Sequence, residues 1–146
     1  PRSSEAFIKE RIAAQVLQDL LSNKQQSLNL EFRILWSALE STGYRAIILS
    51  SNQNPGPALP QLQDEITESL VEKSQQHLAL QWQERMREHI NQVQAMNLIA
   101  FYGLAEETME SYTDWVKDQD TDEIAAYASQ ALQTDQQISI LQPPAY

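Results

Sequence analysis

Residues 4–23 read Ser-Glu-Ala-Phe-Ile-Lys-Glu-Arg-Ile-Ala-Ala-Gln-Val-Leu-Gln-Asp-Leu-Leu-Ser-Asn. Ile8, Ile12, Val16 (with Leu17) and Leu20 recur at spacings of three and four, which lines them up along one face of a helix. Ser3 or Ser4 stands where an N-cap belongs, and Asn23 lies near the end. The same rhythm predicts a second helix over residues 28–42, capped by Ser27, with Phe32, Leu35, Trp36 and Leu39 on one face and Gly43 as its stop. A third, short helix is predicted from Tyr44 to about Ser51 through Ile47 and Ile48.

The sharpest break is Asn54-Pro55-Gly56-Pro57-Ala58-Leu59-Pro60. Proline lacks an amide proton and clashes with the preceding turn, so this stretch is neither helix interior nor central strand. It reads as a connection at 54–60 within one domain, because neither side is large enough to hold a core of its own. Beyond it, residues 61–102 contain no breaker. Leu62, Ile66 and Leu70 make one stripe; Trp82, Met86, Ile90, Val93 and Asn97 make another. The stripes fall out of phase near Glu72–Leu78, which predicts a kink or a joint near Ser74. Gly103 ends the stretch. A helix over 105–117 buries Met109, Tyr112 and Val116. Asp120-Thr121-Asp122-Glu123 opens another, with its acids at the positive end of the helix dipole and Ile124, Tyr127, Ala128, Ala131 and Leu132 behind. Residues 133–146 are polar and read as a loose tail, leaving 1–132 as the helical domain. The predicted fold is therefore all-α: a single-domain irregular bundle of six or seven helices.

Length and composition agree with that reading. A chain of 146 residues suits one domain and buries roughly two-thirds of its surface on folding. Hydrophobic residues make up 42% and charged residues 21%, which argues against wholesale disorder. No apolar run approaches the ~18 residues of a bilayer span. Glutamine is abundant, at 19 residues, but it is interleaved with periodic apolar positions and reads as helix surface.

The net charge is −10, which repels phosphate backbones and anionic membrane surfaces. The charge is unevenly held. Residues 1–102 carry nine basic and eleven acidic side chains; residues 103–146 carry Lys117 against nine acids. A solvated acidic face is the plain reading; the sharper one makes Glu106, Glu107, Glu110, Asp114 and Asp118 a candidate docking surface for a basic protein partner or a cation, and a homo-oligomer is a separate reading.

Catalytic chemistry is not assembled. There is no cysteine, so disulfides, thiolate metal sites and thiol nucleophiles are excluded. His77 and His89 sit twelve apart, outside any helical metal-ligand spacing, and read as ordinary helix-surface residues. Asp118-Gln119-Asp120-Thr121-Asp122 opens like a calcium loop, but Glu123 and Ser129 occupy the positions that need glycine and a bidentate glutamate. Pro143-Pro144-Ala145-Tyr146 fits the short pattern bound by WW domains. No Gly-x-Ser-x-Gly or phosphate-loop pattern occurs. No cofactor or metal is expected. Trp36, Trp82 and Tyr102 fall on apolar stripes; core packing is their default role, and lining a ligand groove between helices is the alternative.

The stretch Leu98-Ile99-Ala100-Phe101-Tyr102-Gly103-Leu104-Ala105-Glu106-Glu107-Thr108-Met109-Glu110-Ser111-Tyr112-Thr113-Asp114-Trp115 resembles the bacterial family known as domain of unknown function 2059. There a helix ends in an aromatic-tyrosine step, and a short turn leads into Glu-Leu-x-x-Tyr-x-x-Phe. Met109, Tyr112 and Trp115 stand at the Leu, Tyr and aromatic positions. Leu35-Trp36-Ser37-Ala38-Leu39-Glu40-Ser41-Thr42-Gly43 is similar to the family's early helix with its Thr-Gly end. The resemblance covers about residues 30–132 and is best over 95–132; Ala105 replaces the family's Ser/Thr cap, and Asp118-Gln119-Asp120-Thr121 replaces its Ser-Pro-x-Gly step. It implies an all-helical protein exported by a Gram-negative bacterium after loss of a signal peptide. The family has no established activity, so no catalytic residue carries over. The functional expectation is a non-enzymatic interaction or accessory protein of the periplasm. A carrier of a small ligand or lipid is the alternative, and a hydrolase using His77 or His89 with carboxylates ranks behind both.

Overall fold

The computed structural model describes residues 3–37, 44–51 and 59–133, with the side chains at 36, 37, 44, 45 and 51 excepted. In chain order the elements are α1 (Ser4–Lys24), β1 (Leu30–Ser37), β2 (Tyr44–Ser51), a 3-10 turn (Pro60–Glu65), α2 (Glu68–Arg85), α3 (His89–Tyr102), α4 (Thr108–Asp118) and α5 (Thr121–Leu132). The chain is mostly helical, but it is not all-α.

α1 is the axis of the fold. It packs against α2, α4, α5 and β1. Ile8, Ile12, Ala13, Val16, Leu17 and Leu21 have no exposed surface, and Phe7 and Leu20 have almost none. Burying a Leu or Ile side chain contributes about 1.5–3 kcal/mol each, so this one face is the largest single source of stability. Ser3 caps the helix by accepting from the Ala6 amide at 3.1 Å. Val71 and Ala79 of α2, Tyr112 and Val116 of α4, and Ile124, Ala128 and Leu132 of α5 close around it.

The two helices expected over 28–42 and from Tyr44 to Ser51 are instead an antiparallel hairpin. Phe32 pairs with Leu49 and Ile34 with Ile47, so one face is apolar and leans on the core. The other face pairs Glu31 with Ser50 and Arg33 with Ile48. Two features favour the strand. Leu30, Glu31, Phe32, Arg33 and Ile34 alternate with period two, and across the two strands Phe32, Ile34, Trp36, Tyr44, Ile47 and Ile48 are aromatic or β-branched. Asn29 takes the left-handed conformation, φ 44°, which turns the chain out of α1 and into β1; asparagine tolerates that region better than most residues. Ser27 is not an N-cap: its hydroxyl donates to the Lys24 carbonyl at 3.2 Å, at the end of α1. The Thr-Gly end of the resemblance and Gly43 lie outside the described residues, as do most of the proline-rich connection, the tail from 134 and Pro143-Pro144-Ala145-Tyr146.

The long stretch after the connection divides at Met86–Glu88, not at Ser74. Ser74 lies buried within α2. At the true joint the Gln92 side-chain amide donates to the Met86 carbonyl at 2.7 Å, and the Glu88 carbonyl receives the Asn91 and Gln92 amides. α3 then ends at Gly103, whose φ of 61° suits a residue without a Cβ. α4 begins at Thr108 rather than 105 and buries Thr108, Tyr112 and Val116, with Met109 half-buried. Asp120 caps α5 by accepting from the Glu123 amide at 2.9 Å.

Candidate functional site

The five acids expected to form a binding surface are all exposed. Glu106 and Glu107 sit in the turn between α3 and α4, and Glu110, Asp114 and Asp118 follow along α4 at spacings of four. The buried line of that helix is Thr108, Tyr112 and Val116, two residues out of step with the acids. Two residues of helix are about 200°, so the carboxylates face away from the core. Lys117 is also exposed on this helix. Asp120, of the calcium-like run, is engaged as the α5 cap. Glu123 is engaged by Lys9 at 2.6 Å, a bond that with Glu5 holds the lysine above its ordinary pKa. Among the described residues there is no group of three or more His, Asp or Glu placed to hold a metal.

The neighbouring helix shows what sequence reasoning missed. α3 packs on α4, and its buried residues are Ala95 and Ile99. Of the expected stripe, Trp82 packs against the core, but Ile90 and Val93 face water at 62% and 51% exposure, and Met96 at 59% and Phe101 at 73% join them on this helix. Residues 90–102 contain no charged side chain. Apolar residues occur on every side of this helix, so packing one side on α4 necessarily leaves the other bare. The signal was present as the absence of charge over thirteen consecutive residues, but stripe counting assigns one face and stops.

A side-chain network joins α1 to α2. Ser74 Oγ donates to Asp19 Oδ2 at 2.8 Å, and Gln15 Nε2 donates to Asp19 Oδ1 at 2.8 Å. His77 Nδ1 stands 3.3 Å from Asp19 Oδ1 and 3.1 Å from Gln15 Nε2, and its Nε2 is 2.9 Å from Gln81 Nε2. With its proton on Nδ1 the imidazole donates to Asp19 Oδ1 and accepts at Nε2 from the Gln81 amide, while the Gln15 amide donates to the same carboxylate. Serine, histidine and aspartate meet here, but not as a nucleophile and its base. The serine hydroxyl is spent on the carboxylate and is fully buried, whereas nucleophilic serine needs a base at its oxygen and access to substrate. The cluster is an interhelix clamp. His89 lies at the α3 start, its Nδ1 3.4 Å from Gln92 Oε1.

Two further polar junctions fix α4 in place. The buried Gln75 amide donates to the Val116 and Gln119 carbonyls, both at 3.0 Å, at the end of α4 where helix carbonyls lack partners. Ser4 Oγ lies 3.1 Å from Thr108 Oγ1 and accepts from the Ala105 amide at 3.2 Å, tying the start of α1 to the turn before α4.

Of the three aromatics, Trp82 and Tyr102 make separate contacts. Trp82 stacks on Tyr112 with centroids 4.1 Å apart and donates from Nε1 to the Met109 carbonyl at 3.3 Å. Tyr102 packs between Phe7 at 5.6 Å and Phe101 at 5.1 Å. Trp36 belongs to β1, and its side chain lies outside the described residues. Burial under α1 and α2 pushes the Tyr112 phenol up to about 12. No helix is long and apolar enough to cross a membrane among the described residues. No family model, curated protein or solved structure matches the chain significantly.

Proposed function

We propose that this protein is a non-enzymatic interaction module whose contact surface includes the acidic side of α4. The carrying observation is the division of labour among its polar groups. Ser74, Asp19, Gln75, Thr108 and Ser4 are consumed in holding helices together, whereas Glu106, Glu107, Glu110, Asp114 and Asp118 stand free of the core in a stripe. Exposed like charges in register repel one another weakly in water and gain by facing an oppositely charged partner, chiefly through faster encounter and specificity. The setting we propose is the periplasm, and the family resemblance over 95–132 supports it. Recovery of the protein in the cytoplasmic fraction after osmotic shock would overturn that part.

The test is affinity purification from the source cell, identification of a stoichiometric partner, and titration of the purified partner against wild type and the Glu107→Lys, Glu110→Lys, Asp114→Lys triple variant. Affinity at least tenfold weaker for the variant is expected. Equal affinity removes the stripe from the interface, and absence of any stoichiometric partner overturns the interaction role.

A further inference from the structure

We infer that β2 is the edge at which a second copy of this chain adds, joining two hairpins into one four-stranded antiparallel sheet. This goes beyond the acidic contact surface and does not depend on it. Among the described residues β2 pairs with β1 and with no other strand. Backbone amides and carbonyls alternate in direction along a strand, so half of those of β2 point away from β1 and offer a template for another strand. A two-stranded sheet is marginal by itself, and further strands stabilise it.

β2 also lacks what keeps an edge unpaired. Lys, Pro and bulges are the usual guards against edge pairing. The hairpin runs without a bulge from Leu30 opposite Ser51 to Ser37 opposite Tyr44. Residues 46–51, Ala-Ile-Ile-Leu-Ser-Ser, contain neither proline nor charge. β1, by contrast, carries Glu31 and Arg33 and is the strand packed against α1. Ile48, in the middle of β2, is 50% exposed.

Symmetry selects a second copy. Residues directly opposite in an antiparallel pair share a face of the sheet, so two identical strands related by a two-fold axis set one residue against itself. An axis at Ile48 sets Ile47 against Leu49 of the second copy, Ala46 against Ser50 and Arg45 against Ser51. Ile47 and Leu49 lie on the side that leans on the core, and Ile48 meets Ile48 on the open side. No charge then stands opposite a like charge, and the two half-exposed isoleucines cover each other. An axis at Ile47 would set Arg45 against Leu49 instead. One strand pair is a small interface, so the dimer is weak and reversible. The net charge of −10 on each copy opposes it at long range. Added salt therefore tightens this association, the reverse of its action on a contact driven by opposite charges.

The test is sedimentation velocity of the full chain over a wide range of concentration, at about 0.1 M and about 0.5 M salt. A monomer–dimer equilibrium that tightens with salt is expected. Ile48→Lys and Ile48→Glu, changes at a half-exposed position, are each expected to weaken dimerisation at least tenfold. Mixed in equal amounts, the two variants are expected to associate at least tenfold more tightly than either alone, because the axis places Lys opposite Glu. A variant that had merely unfolded could not produce that rescue. The chain has no native cysteine, so Ile48→Cys and Ser50→Cys each report a single position. Under mild oxidation the first is expected to form disulfide dimers at least tenfold faster, since the axis sets 48 against 48 and holds 50 from 50 too far apart to bridge.

A chain that stays monomeric at every concentration and salt overturns the proposal. So does a mixture without rescue, or equal cross-linking at 48 and 50, either of which denies an axis at Ile48. Slow hydrogen exchange of the outward β2 amides in the monomer, at the lowest concentration, overturns it in favour of a segment of the same chain on that edge. Where a purified partner protein loses affinity for Ile48→Lys and the chain alone is monomeric, the edge belongs to that partner and not to a second copy.

Discussion

α1 and α3 are both rich in aliphatic side chains, yet they sit at opposite ends of the burial scale. α1 places Ile8, Ile12, Val16, Leu17 and Leu21 at zero exposure and turns its charges outward, Lys9 to Glu5 and Glu123 among them. α3 buries only Ala95 and Ile99 and leaves Ile90, Val93, Met96 and Phe101 to water. The difference is in arrangement. A helix with apolar residues on one side has one way to hide them; a helix with apolar residues all round hides whichever side meets a neighbour first. α1 is encircled by α2, α4 and α5, whereas α3 leans chiefly on α4. Apolar content alone therefore does not tell core from contact surface in this chain.

The strongest way to break the comparison is to cut into α1. Leu17→Ala removes a fully buried side chain from the centre of the bundle. Such truncations cost about 2–5 kcal/mol, the spread reflecting how far the cavity can close. Urea denaturation should show that loss as a fall in midpoint with little change in slope. A cost below about 1 kcal/mol would mean that α1 is not the axis of the core.

A second test uses Tyr112, which links the α4 side of that core to α2 through its stack on Trp82. Burial raises its phenol from 10.0 to about 12, so the folded chain keeps a proton that the unfolded chain releases near 10. Stability from this group is complete below pH 10 and declines as pH rises towards 12, by about 2–3 kcal/mol in all. Tyr112→Phe should flatten that part of the pH profile, and ultraviolet titration should place tyrosinate formation at the unfolding transition. Ionisation of Tyr112 near 10 without unfolding would show that its pocket is open to water.

Smaller still is the effect of Gln75→Leu. Its amide is a buried donor to two carbonyls at the end of α4, and the variant strands the buried Val116 acceptor, while the half-exposed Gln119 carbonyl can turn to water. A loss of about 1–3 kcal/mol is expected. Hydrogen exchange should show it first in α4 and α5, whose relative placement this side chain fixes. Uniform loss across the chain would say instead that α4 and α5 do not open separately.

Much of this was legible before the structure, for reasons that can be traced to particular residues. α1 and α5 each combine a cap with a 3.6-residue rhythm, Ser3 before Ile8 and Asp120 before Ile124, α4 shows the rhythm in Tyr112 and Val116, and α3 has its stop in Gly103 after Tyr102. The hairpin was not legible because Phe32, Leu35, Trp36 and Leu39 fit a helical face while Leu30, Phe32 and Ile34 fit a strand face equally well. Its partner settles the matter only in three dimensions, where Ile47 and Leu49 meet Ile34 and Phe32. The joint at Met86–Glu88 has neither glycine nor proline and is made by the Gln92 side chain, a contact that no local pattern announces. On the candidate surface, the acids of α4 were readable because they fall out of step with Tyr112 and Val116. The bare face of α3 was not, because Trp82, Met86, Ile90 and Val93 continue one stripe on paper, whereas the chain turns at Met86 and carries the last two into solvent.

The smallest expected effect sharpens the comparison most. Val93→Gln exchanges a half-exposed aliphatic residue on α3 for a polar one of somewhat better helix propensity. If that face serves no purpose in folding, little apolar burial is lost and the change in stability should stay within about 0.5 kcal/mol, the range of ordinary surface substitutions. Urea denaturation of the isolated chain reads this directly, with Leu17→Ala as the contrasting limit. A cost above about 1 kcal/mol would mean that Val93 is covered in solution, by another part of the chain or by a second copy. Repeating the measurement across a wide range of protein concentration separates those two, since only association makes the penalty depend on concentration. A neutral result at every concentration leaves α3 as a helix whose apolar side the fold itself does not need, which is the condition any docking role for it must meet.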